Sequence, residues 1–398
     1  MNIDYVTLDV FTDRPFGGNP LAVIPDARGL DAAQMQAIAT EFNYSETTFV
    51  LPPADPRHTA RVRIFTPTNE IPFAGHPNVG TAFVLGRQQT AFGAPAGDRM
   101  VFEEDAGLVH IDLLREAGAV TGAGFIAPQP LERGGEIEVA TIAGCVSLPS
   151  DAIIIDGHRP CIVSVGIPFA IAELRNLDAL AAARPDASAF AEAGKKHWHR
   201  GDRFAAFVYV RTGKGIEQLR ARMFAPLNNI PEDPATGSAS AALAAYLVGL
   251  DPQSDAAFSI AIEQGVEMGR PSAIDIEVRK AAGQVTSVRV SGRCVPMMQG
   301  TLVLLADARP RHGDGCGLPR SAPPRRPPSA NASDIQGISR VCVAPPGGFF
   351  GPLTCFPGRH PLIPLMPRMR AAAAAFGWAQ WRDPGNGRPF PAPSCFDT

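Results

Sequence analysis

Short β-branched runs alternate with alanine-rich stretches along most of the chain, which predicts a mixed α+β or α/β protein. Strands are expected over residues 4–11, 46–51, 60–65, 108–113, 161–165, 205–210, 221–224, 274–278 and 284–290. Helices are expected over 31–41, with Asp31 as a possible N-cap, and over 77–85, 177–183 and 238–248.

One segment of this pattern occurs twice. Arg63-Ile-Phe-Thr-Pro-Thr-Asn-Glu-Ile-Pro72 aligns without gaps on Arg222-Met-Phe-Ala-Pro-Leu-Asn-Asn-Ile-Pro231, with six of ten positions identical. After a short offset the first copy continues as Phe73-Ala-Gly-His-Pro77 and the second as Glu232-Asp-Pro-Ala-Thr-Gly-Ser238, each leading into a helical stretch. A supersecondary unit of strand, Asn/Pro loop, Gly plus polar residue, and helix is therefore duplicated. A helix start carries unpaired N–H groups and positive partial charge, so a Gly-His or Gly-Ser step there can cradle a carboxylate. Two such steps, Gly75-His76 and Gly237-Ser238, could face each other across a cleft. The plainer alternative is that each glycine closes a turn and each polar residue caps its helix.

The positions that differ between the copies carry the chemistry. His76 in one copy and Asp233 and Ser238 in the other lie beside the expected helix starts. Upstream, Asn43-Tyr-Ser-Glu-Thr-Thr-Phe-Val50 places Ser45 and Glu46 where a loop enters an apolar strand. Burial there would raise the Glu46 pKa toward the range of a general base; the alternatives are an edge-strand carboxylate or a cap. His197-Trp-His199, among Lys195, Lys196 and Arg200, reads as a solvated basic loop rather than a metal site, and Glu103-Glu104-Asp105 as a solvated turn. The nucleotide-binding, zinc-protease and serine-hydrolase motifs are not found.

Composition separates two unlike parts. The 398 residues are 45% hydrophobic and 19% charged, which excludes wholesale disorder, and the net charge of −3 speaks against a nucleic-acid binder. Residues 1–308 hold 25 Lys+Arg against 35 Asp+Glu, whereas residues 309–398 hold 11 Arg, 4 Asp, 17 Pro and neither Lys nor Glu. The second part reads as a frameshifted or read-through extension, or else a natural Pro-rich disordered tail. Seven scattered cysteines without a C-x-x-C pair suggest reduced thiols in a cytoplasmic protein, with Cys145, Cys161 and Cys294 as core residues. The opening residues lack a signal-peptide pattern, and no apolar run approaches the roughly 20 residues that span a bilayer.

The motifs Gly17-Gly-Asn-Pro20, Asn43 to Val50, Arg63 to Pro67, Phe73 to Pro77, Glu232 to Ser238 and Gln264-Gly-Val-Glu-Met-Gly-Arg-Pro-Ser272 resemble those of the PhzF family of phenazine-biosynthesis isomerases, from the first strand to about residue 305. The resemblance implies a diaminopimelate epimerase-like fold: two pseudo-symmetric domains, 1–120 and 121–308, each a sheet wrapped on a central helix, with the closing strands able to return to the first. It implies a homodimer and an isomerase without cofactor or metal, acting on trans-2,3-dihydro-3-hydroxyanthranilate or another small amino or hydroxy acid. Glu46 would take and return the proton. His76 and Asp233 would hold the substrate's polar groups, Gly75, Gly237 and Ser238 would bind its carboxylate and neighbouring groups, and Ser45 would orient Glu46. Epimerisation of another small acid, or non-catalytic binding of one, are the alternatives.

Overall fold

Strand Ser272–Ala281 turns its polarity pattern into structure residue by residue: Ser272, Ile274, Ile276, Val278 and Lys280 are buried and the intervening residues exposed. Even the buried lysine has a reason, since its Nζ donates to the carbonyls of Val248 and Asp251 at the end of a helix, where positive charge is favoured. The computed structural model describes residues 1–197 and 204–304, within a compact unit spanning Met1–Gly313. The tail 309–398 lies outside the described residues.

The first half runs β1 (Asn2–Val10), β2 (Asn19–Ile24), α1 (Ala32–Phe42), β3 (Glu46–Leu51), β4 (Ala60–Phe65), β5 (Glu70–Ile71) and α2 (Gly75–Gln88). Asp31 caps α1 in a reciprocal arrangement with Gln34. Three strands follow, Arg99–Glu104, Gly107–Glu116 and Ala119–Ile126. The later helices are α3 (Val139–Cys145), α4 (Leu177–Ala182), α5 (Ala187–His197) and α6 (Gly237–Leu250).

Strand pairing repeats between the halves. β1 runs antiparallel to β2, β2 parallel to β3, β3 antiparallel to β4, and β4 antiparallel to β5, which leads to α2. Strands Cys161–Ser164, Pro168–Leu174, Ala206–Arg211, Gln218–Ala225 and Ile230–Asp233 pair in the same senses and lead to α6. The aligned segments stand at the same point of each series. Arg63 forks onto Glu70 with its Nε and a terminal nitrogen and lies over the Phe65 ring; Arg222 forks onto Glu232 and lies over Phe224. The repeated Arg-x-Phe thus pins one hairpin in each half.

Among the described residues, eighteen strands are hydrogen-bonded into one connected sheet system, and Thr90–Ala91 pairs with Ala94–Pro95 as a separate hairpin. The connector is the 20-residue strand Gln284–Val303, which pairs with Ser272–Ala281, with Ala119–Ile126 and with β1. α2 is buried from Gly75 through Gly86, and α6 is buried along nearly its whole length. Alanines dominate α6, so strands approach it closely, and one continuous apolar core joins residues of both helices.

Two polar segments differ from expectation. Lys195, Lys196 and His197 form the last turn of α5 instead of a loop, while 198–203 are outside the described residues. Of the acidic triplet, Glu103 accepts from the backbone N–H groups of Ala54 and Asp55, and both carboxyl oxygens of Glu104 are shut off from solvent. The three cysteines in the described residues are buried, and burial pushes Cys145 up to about 12. Among the described residues no helix is long and apolar enough to cross a membrane.

Candidate active site

Local backbone geometry delivers each polar group. Asn43, left-handed at φ 52°, ends α1 and turns the chain so that Ser45 and Glu46 enter β3 beside β2. On the neighbouring strand Gly18 adopts φ +62°, where a Cβ would lie 2.2 Å from the Val10 carbonyl oxygen. Only glycine fits this turn, which sets Asn19 fully buried at the start of β2. His76 is the second residue of α2, and Asp233 closes the strand that precedes α6.

These groups converge on Asn19. Its Nδ2 donates to Asp233 Oδ1 at 2.8 Å and to the Ala235 carbonyl at 3.0 Å, and lies 3.3 Å from His76 Nδ1. Because the Ala235 carbonyl only accepts, the amide nitrogen must face this side; its two hydrogens serve Asp233 and Ala235, and His76 Nδ1 faces the same NH2 group with its lone pair, so the imidazole proton sits on Nε2. That Nε2 lies 3.4 Å from Glu46 Oε2, and neither atom has a hydrogen-bond partner. Ser45 Oγ is within reach of Asp233 Oδ1 and Asn19 Oδ1, and Thr236 Oγ1 donates to Asp233 Oδ2. Gln264 braces the back of the site, donating to the Asp233 carbonyl and to Thr236 Oγ1 while accepting from the Thr236 N–H.

The electrostatics follow from burial. Desolvation holds His76 down to about 3, so the imidazole is neutral. Desolvation also raises Asp233 to about 6, against the opposing hydrogen bonds from Thr236, Asn19 and Ser45. Glu46 is raised well above the ordinary carboxylate range by desolvation and by the negative charge of Asp233. Asp233 accepts hydrogen bonds from three side chains and Glu46 Oε2 accepts none, so a proton shared between these carboxyls resides on Glu46.

A cavity of about 570 Å³ opens over this cluster. Glu46, Gly75, His76, Asp233, Gly237 and Ser238 line it. Ser45 sits behind them, against Asp233 and Asn19. Neither Ala74 nor Thr236, the cap positions of α2 and α6, closes its helix start with a side-chain hydrogen bond. The two starts abut: a Cβ on Gly75 would lie 3.4 Å from the Ser238 backbone nitrogen and 3.5 Å from Gly237 Cα. Phe73, Phe169, Ile71 and Ile230 form apolar walls, and among the described residues no Lys, Arg or Cys lines the cavity. An anionic ligand would therefore be met by helix N-termini and polar side chains. Asn19, Thr236 and Gln264 join the site unforeseen: each lies inside one of the motifs, but an amide or hydroxyl in a Gly/Pro-rich turn carries no chemical signal of its own.

The model of the family described as phenazine biosynthesis-like protein matches residues 8–300. An uncharacterized isomerase of Mesorhizobium japonicum is 40% identical over 307 residues, covering 76% of this chain and 99% of the relative. The trans-2,3-dihydro-3-hydroxyanthranilate isomerase of Pseudomonas chlororaphis is 38% identical over 302 residues, covering 75% and 99%. The crystal structure of a Bacillus anthracis phenazine biosynthesis protein of the PhzF family superposes with a TM-score of 0.65 at 23% identity, covering 76% of this chain and all of that one. The chain belongs to the PhzC-PhzF family of phenazine biosynthesis-like proteins and is an isomerase.

Proposed function

We propose that the chain isomerises a small amino or hydroxy acid by moving one proton on and off Glu46, with trans-2,3-dihydro-3-hydroxyanthranilate as the reference substrate. One observation carries this reading: Glu46 from the first half and Asp233 from the second line one cavity, with Glu46 3.4 Å from a neutral His76 whose other ring nitrogen faces Asn19, the residue that donates to Asp233.

In this mechanism the ionised form of Glu46 takes a proton from a substrate carbon, and the acid so formed returns it to another carbon. A raised pKa suits both tasks, because the group is basic enough to accept and acidic enough to release near neutrality. His76 Nε2–H faces the reacting region and donates to an oxygen or nitrogen on which charge develops. Asp233, held toward its ionised form by hydrogen bonds from Thr236, Asn19 and Ser45, receives the substrate's amino group. The abutting starts of α2 and α6 receive the carboxylate through Gly75, Gly237 and Ser238. All the groups this requires are side chains and backbone of the protein itself, so the reading is of a cofactor-independent enzyme. The same reading takes each buried helix, α2 and α6, as the centre of one of two pseudo-symmetric epimerase-like domains in a cytoplasmic homodimer.

Glu46→Gln is expected to abolish solvent-deuterium incorporation into the reference substrate while leaving the circular dichroism spectrum unchanged. Full exchange activity in that variant would overturn the assignment. A pure acid-binding protein would show a ligand-induced thermal shift without any exchange in the wild type.

A further inference from the structure

The turn between strands Arg99–Glu104 and Gly107–Glu116 carries three consecutive acids with separate fates. Glu103 binds the backbone of Ala54 and Asp55 and pairs with His58, and Asp105 faces Arg61 at 3.8 Å. Glu104 turns inward, and neither of its carboxyl oxygens finds a hydrogen-bond partner. Its neighbour is the Asn78 amide on α2. Asn78 Oδ1 is likewise buried and unpartnered, while Asn78 Nδ2 donates to the Ala74 carbonyl at 3.0 Å. Three buried oxygens without a donor, on two adjacent side chains, are one proton short of a complete arrangement.

We propose that Glu104 is held as a neutral carboxylic acid in a cyclic acid–amide pair with Asn78, and that this pair is a positioning device for the start of α2. The Glu104 O–H donates to Asn78 Oδ1. The second Asn78 amide hydrogen donates back to the other Glu104 oxygen, and the first stays on Ala74. All the orphaned oxygens are then paired.

The surrounding charges agree. Asp105 on the same turn opposes ionisation; from β4, Arg61 is engaged with Asp105 and Arg63 with Glu70; His58 is engaged with Glu103; and His76, on α2, is neutral. Desolvation, reinforced by Asp105, lifts Glu104 to about 8, the nearby Asn78 amide acting in the opposite sense. The pair holds the carbonyl of Ala74, and the next two residues, Gly75 and His76, line the cavity. The same turn grips the cavity wall again through Ala106 N–H and the Pro72 carbonyl. Once Glu104 ionises, the oxygen that had donated faces Asn78 Oδ1 acceptor to acceptor, the pair is pushed apart, and the Asn78 bond to the Ala74 carbonyl is disturbed.

The test uses the full chain with carboxyl-¹³C glutamate, the Glu104 signal being assigned by its loss in Glu104→Gln. It is expected to be that of the neutral acid at pH 7, to titrate near pH 8, and to carry the Gly75 and His76 amide signals with it. An ionised Glu104 at pH 7, or Gly75 and His76 signals indifferent to its titration, would overturn the proposal. The activity arm rests on the function proposed above: exchange into the reference substrate should fall as pH rises through about 8 in the wild type. Glu104→Gln preserves an amide–amide pair and should lose that descending limb, whereas Glu104→Leu and Asn78→Leu should each lower kcat roughly tenfold with little change in KM. A limb that persists in Glu104→Gln counts against positioning. If the reference substrate is not turned over at all, the functional reading fails while the magnetic resonance arm still decides this one.

Discussion

Glu46 and Ala205 hold equivalent places in the two copies of the strand unit. Glu46 precedes Thr47, which pairs with Phe65; Ala205 precedes Ala206, which pairs with Phe224, the residue aligned with Phe65. Both line the cavity. The duplication therefore puts a carboxyl on one wall and a methyl group on the other. Inversion by two opposed acid–base groups needs a proton carrier on each face of the substrate, whereas one carrier returns the proton to the face from which it came.

A single carrier leaves an isotopic trace. Reference substrate deuterated at the carbon that loses its proton should give product retaining part of the label, because the Glu46 acid returns its own deuteron in competition with exchange. Mass spectrometry at low conversion measures this. Complete washout at the earliest times would indicate a second group or free exchange with water.

Removing the charge of Asp233 should shift the acid limb of the pH profile. Asp233 contributes to the raised pKa of Glu46, so Asp233→Asn lowers that pKa. The rise of activity as Glu46 ionises then moves to lower pH, while KM worsens through loss of a substrate contact. A limb that stays in place would show that another group controls it.

The two forked arginines should differ in their importance to stability. Arg222 is 3% exposed and, besides Glu232, donates to the carbonyls of Leu180 and Ala183 at the end of α4. Arg222→Met leaves a carboxylate and helix carbonyls without a partner, a loss of about 3–5 kcal/mol in a urea titration. Arg63 and Glu70 are more open, and Arg63→Met should cost about 1 kcal/mol or less.

Two buried groups tilt the pH dependence of stability in opposite directions. His76 falls from its ordinary 6.5 to about 3 on folding, so the unfolded chain binds the additional proton between these values and stability declines as pH drops through that window. Glu104 rises from 4.5 to about 8, so the folded chain binds the additional proton and stability declines as pH climbs from 4.5 to 8. Urea midpoints should therefore show a shallower alkaline decline in Glu104→Gln and a shallower acid decline in His76→Gln. Parallel curves for a variant and the wild type would contradict the corresponding shift.

Much of the scaffold was legible where local pattern and burial coincide. β3 and β4 have the bounds expected from their apolar runs. The pattern predicts a strand only to 290, whereas Gln284–Val303 runs on through Pro296 and a stretch that mixes exposed Met298 with Gln299 and Gly300. Pairing with β1 extends it, and a register shift opposite Thr7 and Leu8 accommodates the proline. In the site, His76, Asp233 and Ser238 stood out as differences between the two copies of a shared unit, while Glu46 stood out as a carboxyl entering an apolar strand. Asn19 did not stand out because Gly-Gly-Asn-Pro reads as an ordinary turn. Glu104 was hidden because three successive acids look solvated, and only the approach of α2 from elsewhere in the chain makes the middle one inward.

The strand Gln284–Val303 also sets the order in which a growing polypeptide can mature. Asn2 pairs with Val303 and Val10 with Cys294, so β1 waits for residues made almost three hundred positions later. Emergence of α2 and β3 from a ribosome cannot complete the first half, whose sheet keeps an open edge until the connector arrives. Such a late, non-local closure makes folding slow and leaves nascent chains prone to association through β1.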